Sequence, residues 1–214
     1  MTRPRSSARS VSGVSGPFLL LLAATLGAGG CAAPLAVPPV AVVEKARIVP
    51  SYSARLSVTL RGKDLRARTP VLLAFRRPDA LRIEIPGPSG ARVIAVAEEG
   101  RLWAVFPSER ALYSGAAQPA DMESLLGVAL APAEIMDLLT GVPNPRLLSY
   151  RAGWGASFPR QIEATLPDGA RLKATVEDVE APATALGPTA FTEPPHAGYR
   201  TVGADEARSL WSGR

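Results

Sequence analysis

Few side chains in this sequence could do chemistry. The chain of 214 residues holds one cysteine, Cys31, and one histidine, His196. A nucleophilic relay needs a base beside its Ser or Cys, and a zinc site needs three or four clustered ligands. His196 stands alone in the proline-rich stretch Glu193-Pro194-Pro195-His196, far along the chain from Cys31. Carboxylates cluster at Glu98–Glu99 and Glu177–Asp178–Glu180. These fall in an expected turn and on expected outward strand positions, so they read as solvated surface. Pro88-Ser89-Gly90 and Gly153-Trp154-Gly155 lack the strand–loop–helix setting of a phosphate loop. No catalytic residue, metal set or cofactor is expected, and the chain does not read as an enzyme.

The position of Cys31 is more telling. Arg3, Arg5 and Arg9 precede an apolar run, Phe18 to Leu26, and a small-residue stretch then ends on the cysteine. A basic start, a short apolar middle and a small-residue exit make a secretory signal. Nine apolar residues are too few to cross a bilayer, which takes roughly 20. The segment resembles a bacterial lipoprotein signal, in which the cysteine is acylated and becomes the new N-terminus. Ala28 stands where that family has leucine, so ordinary cleavage near the same point remains the alternative.

Residues 1–30 are therefore expected to be a signal peptide. Their loss takes three of the 24 basic residues, leaving 21 against 19 acidic, a net charge of +2. The remaining bases are scattered and not interleaved with aromatics, which argues against nucleic acid as a partner. No cysteine follows Cys31, so a hydrophobic core must hold the fold, and 47% hydrophobic residues can supply one.

Residues 31–50 are Ala-, Val- and Pro-rich, as in an extended tether, although a helix near Val42 to Arg47 is compatible with them. Alternation then predicts a strand over Tyr52 to Leu60 and others over Leu65–Arg77, Ala80–Ile85, Ala91–Ala97, Arg101–Phe106 and Arg110–Ser114. Their connections are too short for parallel crossovers, so the strands are antiparallel neighbours. Pro119 to Gly127 and Pro132 to Gly141 change to a helical period, each with Pro at the start and Gly at the end. Two such short helices must pack on something apolar. Strands return over Arg146–Arg151, Arg160–Leu166 and Ala170–Glu180, the last two joined by the turn Pro167-Asp168-Gly169. Residues 181–214 form a Pro-rich extension with one or two helical turns between Ala204 and Trp211.

Three stretches, LLAFRRPDALRIEI, MESLLGVALAPAEIMDLLTGVPN and FPRQIEATLPDGARLKATVEDVE, resemble in order and spacing the Lol family of lipoprotein carriers and receptors. The likeness covers about residues 52–179 and is nearest to the LolB-type outer-membrane receptor, because that member is lipidated. It implies a mainly β fold with α: a half-open, curved antiparallel barrel over residues 51–180 under a short-helix lid. It implies no catalysis, but an apolar cavity for the acyl chains of lipoproteins. The implied setting is the outer membrane of a Gram-negative cell, facing the periplasm. A soluble periplasmic carrier is the implied donor, and the chain works as a monomer anchored by its lipid. Arg77 matches an arginine that latches the lid by bonding to lid carbonyls; capping a turn is its other reading. Pro88 and Ser89 match the family's protruding loop, with Ser89 where the receptor has an exposed leucine.

Alternation places Leu56, Val58, Leu60, Leu73, Phe75, Leu81, Ile83, Ile85 and Trp103 on the concave face. Leu125, Leu126, Ile135, Met136 and Leu139 are the lid side chains expected to face them, either around a ligand cavity or in a filled core. The expected function is binding of lipoprotein acyl chains and their delivery to the outer membrane. The alternative is a structural or interaction lipoprotein of the same fold that binds a protein partner or senses a lipid.

Overall fold

The computed structural model describes residues 38–62, 66–183 and 186–212. Cys31 and the segment 1–30 lie outside the described residues. The chain enters through α1 (Val40–Arg47) and makes β1 (Ser51–Arg61), β2 (Arg66–Arg76), β3 (Ala80–Gly87), β4 (Gly90–Glu98), β5 (Arg101–Phe106) and β6 (Ala111–Ala116). Next come α2 (Pro119–Leu126) and α3 (Pro132–Leu139), then β7 (Ser149–Trp154), β8 (Pro159–Thr165) and β9 (Arg171–Glu180). A 3-10 turn (Pro188–Phe191), β10 (Arg200–Thr201) and α4 (Ala204–Ser212) complete it.

The strands form one open ten-stranded sheet in the order β10-β6-β5-β4-β3-β2-β1-β9-β8-β7. Every described pairing is antiparallel except β10 with β6. β9 returns to pair with β1, so the first strand lies mid-sheet and the sheet stays open rather than closing into a barrel.

A period of two makes register decide which side chains meet. Tyr52, Ala54, Leu56 and Leu60 of β1 face Phe75, Leu73, Val71 and Ala67 of β2. Leu73 and Phe75 are in turn opposite Ile83 and Leu81 of β3. This face carries the main core, into which Met122, Leu125, Leu130 and Met136 descend from the helical side. Gly127, at φ 69°, ends α2 in the left-handed conformation that glycine adopts without cost. The α3 start is held by Glu134, whose carboxylate accepts the Ala131 N–H at 2.7 Å.

The same alternation sends Val96, Trp103, Val105 and Leu112 to the opposite face, where they form a separate buried cluster. This corrects the placement of Trp103. In Arg101–Phe106 both parities are apolar, and the paired register, Ala95 with Ala104 and Val96 with Trp103, puts Leu102, Ala104 and Phe106 inward instead. Hydropathy alone cannot choose a face when both are buried.

Residues 186–201 cover the outer face at two separate places. Phe191, fully buried, packs with Ala74 and Ala80, and Tyr199 packs on the Trp103 cluster. β10 then adds to β6, opposite Ala111 and Leu112, and α4 lies beside α2 with Ala207 in the main core. The tail thus passes from the outer face around the β6 edge to the helical side.

β7 begins three residues later than alternation suggests, at Ser149, and runs on to Trp154. Residues 144–147 are taken up by a turn in which Asn144 accepts the Arg146 N–H on Oδ1 and the Leu147 N–H on its carbonyl. At the other end the Trp154 ring occupies the space that a Cβ on Gly141, at φ +83°, would need. Packing of the indole on that bare backbone carries the strand into a glycine pair that reads locally as a turn.

Candidate functional site

Between the inner face and the helices lies a cavity of about 110 Å³. Its wall comes from β1, β2, β3 and β9 on the sheet side, and from α2, α3 and the tip of α4 on the other. Leu56, Val58, Leu60, Leu73 and Ile83 line it, as do Leu126, Ile135 and Leu139 from the helices. Phe75, Leu81 and Ile85 share the concave face but are buried in the filled core outside the cavity lining, as are Leu125 and Met136. Trp103 is on the other face.

The lining is aliphatic apart from the hydroxyl of Thr69 and the Trp211 indole. Val58, Thr69, Val128 and Leu172 are only partly buried, which marks the mouth near the β1–β2 end of the sheet. Val71, Leu172 and Ala174 also line the cavity, on the inward parity of their strands. Leu130 and Val128 lie in the short link between the helices, where no period operates. Trp211 is the contributor that sequence reasoning missed: nine residues of a polar-looking terminal segment do not announce which side chain turns inward.

Such a surface offers no group for general acid–base or nucleophilic work. What it can do is remove apolar matter from water, by about 0.8 kcal/mol for each methylene buried. Apolar cavities of about 150 Å³ stay dry and accept a benzene-sized guest, whereas drug-sized ligands occupy about 300–1,000 Å³. With the helices where they stand, the cavity takes a few methylenes of one chain. Three acyl chains require the helical cover to move away.

That cover is tied to the sheet at few polar points. Arg77, just past the end of β2, donates from Nη2 to Asp137 Oδ1 at 3.1 Å and to Thr140 Oγ1 at 3.3 Å. Its partners are thus side chains at the end of α3 rather than carbonyls, while its Nε has no partner among the described residues. Thr140 is fully buried and donates its hydroxyl to the Met136 carbonyl at 2.9 Å. Tyr150 on β7 donates to the Leu138 carbonyl at 3.1 Å, and Tyr113 on β6 to Asp121 of α2 at 3.3 Å. Arg92, the extra residue of a bulge opposite Ile85/Pro86, reaches the Trp211 carbonyl at 3.3 Å near the end of α4. A bulge re-aims a side chain, and a cation suits a helix C-terminus.

Burial pushes the phenols of Tyr52 and Tyr150 well above their ordinary range. Tyr113 also rises, from burial first and then from the nearby Asp121 carboxylate. The expected loop residues Pro88 and Ser89 form an exposed two-residue turn between paired Gly87 and Gly90. Among the described residues no group of three or more His, Cys, Asp or Glu could hold a metal ion. None of their helices is long and apolar enough to cross a membrane.

No family model matches the chain, and no curated protein does. Solved structures similar to it include a LolA superfamily protein from Nitrosomonas europaea, at 13% identity and a TM-score of 0.43, covering 74% of this chain and 99% of that one. A domain from Vibrio parahaemolyticus, which carries the description of an outer membrane lipoprotein-sorting protein, aligns at 7% identity and a TM-score of 0.43. It covers 71% of this chain and 94% of its own. An uncharacterized conserved protein from Thermus thermophilus aligns at 12% identity with a TM-score of 0.39, over 76% and 95% of the two chains.

Proposed function

We propose that the protein binds the acyl chains of lipoproteins beneath its helical cover, as a LolB-type member of the lipoprotein-localisation family. It is anchored through an acylated Cys31 at the periplasmic side of the outer membrane. The observation that carries this reading is the aliphatic cavity between the concave sheet and a cover held by a handful of hydrogen bonds. A core closed on itself needs no aliphatic space of this kind. Uptake then means that α3 and its neighbours shift, acyl methylenes replace helix side chains on the sheet, and no covalent step occurs. Arg77 serves as the latch of α3.

The test is displacement of a fluorescent fatty-acid probe from the purified chain by an acylated peptide. Ala174→Leu, which fills the cavity from the buried β9 wall, is expected to leave the fold intact and weaken probe binding at least tenfold. Unchanged binding by this variant, or no displaceable binding by the parent, would return the fold to the alternative of a structural or partner-binding lipoprotein. Mass spectrometry of the mature N-terminus settles the anchor: an unmodified Cys31 removes it.

A further inference from the structure

On the outward face, the strand ends nearest the cavity mouth carry an unusual charge pattern. Arg61 of β1 stands directly opposite Arg171 of β9. One row further in, Arg68, Thr59, Lys173, Glu163 and Arg151 follow one another across β2, β1, β9, β8 and β7. Five exposed cations therefore share these two rows with a single carboxylate, while the one further described acid beside them, Asp168 in the β8–β9 turn, accepts the Ala170 N–H. That carboxylate, Glu163, lies 2.7 Å from the Lys173 ammonium. Lys173, by hydrogen bond and charge, and then Arg151 hold it below the usual carboxylate range.

Among the described residues, neither Arg61, Arg68 nor Arg171 has an acidic partner. Like charges directly opposite in a sheet cost stability, so the arrangement does nothing for the fold. Nor is the surface evenly basic: β9 begins with Arg171 and Lys173 and ends with Glu177, Asp178 and Glu180. Two apolar features meet the cations. Leu148 is 68% exposed immediately before β7, its N–H bonded to the Thr165 carbonyl in the same end of the sheet. Leu172, between Arg171 and Lys173 in sequence, points the other way and lines the cavity mouth.

We infer that this end of the sheet is a docking surface for an anionic phospholipid membrane, and that it brings the cavity mouth to the headgroup level. Cations beside an exposed aliphatic side chain and an apolar opening match the layering of a lipid interface. An acidic protein surface would satisfy the cations and leave Leu148 and the opening uncovered. The inference gives the acyl-binding reading its site of exchange and rests on that reading for its purpose, while its measurement is separate.

The experiment is flotation of the mature chain, residues 31–214 with Cys31→Ser, so that neither an acyl anchor nor the basic, apolar segment 1–30 contributes, with vesicles of phosphatidylcholine alone or with one-third phosphatidylglycerol. Binding is expected only to the anionic vesicles and is expected to fall as salt rises. Replacing Arg61, Arg171 and Lys173 together by Gln should lower partitioning roughly a hundredfold, at about fivefold per charge. Leu148→Ala should weaken it at every salt concentration. Equal binding to both vesicle types, or an unaffected triple variant, overturns the inference. So does a chain that ignores anionic vesicles but needs these cations in cells, which would assign the surface to an acidic protein. Fatty-acid probe uptake measured on the same variants separates the two readings. Uptake without vesicle binding defeats only the docking surface, and vesicle binding without uptake defeats only the acyl cavity.

Discussion

The Tyr52 ring stacks on Phe75 at 5.1 Å and meets Phe158 edge-on at 5.5 Å, yet its hydroxyl is buried with no partner among the described residues. An unsatisfied buried hydroxyl costs roughly 1–3 kcal/mol. Tyr52→Phe, which keeps the ring contacts, is therefore expected to raise stability by about 1 kcal/mol in denaturant titration. The raised phenol pKa values also set an alkaline limit. The unfolded chain releases these protons near pH 10 while the folded chain retains them. Stability is thus fully present below about pH 10 and declines above it, by at most about 1.4 kcal/mol per pH unit for each buried tyrosine. Tyr52→Phe should flatten that decline, and an unchanged slope in alkaline melts would contradict the burial of this hydroxyl. Gly141→Ala faces both a positive φ and the Trp154 ring; a loss of about 3 kcal/mol is expected. Alternation made Leu56 and Ile83 legible as inward, because Arg55, Ser57, Arg82 and Glu84 occupy the other parity, and Leu73 followed from its place between them in the β1–β2–β3 order. Trp103 was not legible, since β5 is apolar on both parities and only the tail explains why.

Among the elements, α3 is joined to the sheet by Arg77 and Tyr150 through side-chain hydrogen bonds. The Arg77–Asp137 pair is partly solvated, with the two side chains 25% and 37% exposed, so its contribution is about 1 kcal/mol or less. Arg77→Met should therefore cost little global stability but increase hydrogen exchange in α3 and speed probe entry. Equal exchange in variant and parent would show that the latch lies elsewhere. The helices themselves were legible from Pro119, Gly127 and Pro132, which mark their ends by backbone chemistry. The direction of the Arg77 guanidinium was not, because α3 is 60 residues away from it in sequence and only the fold closes that gap. The cavity's size was equally hidden. Counting apolar residues gives the area to be covered, while the space left over depends on how Leu130, Leu138 and Trp211 interdigitate.

At the scale of the whole molecule, the tail decides how both faces of the sheet are covered. Phe191 is fully buried against Ala74 and Ala80, so Phe191→Ala is expected to cost about 3–5 kcal/mol in chemical denaturation. A loss below 1 kcal/mol would show that the tail rests loosely on the sheet. Composition gave residues 181–214 the look of an appendage, because prolines suggest extension, and extended chain can still lie on a surface. A mechanical consequence follows from the path around the β6 edge. Tension on the C-terminus meets α4 first, tied to the sheet side at Arg92, and then the two-residue parallel pairing of β10 with β6. Neither resists as the eleven-pair β1–β2 ladder does. A pull from that end therefore peels a short strap off the cavity wall at low force and leaves the sheet standing, as a tab lifts a seal without tearing the vessel.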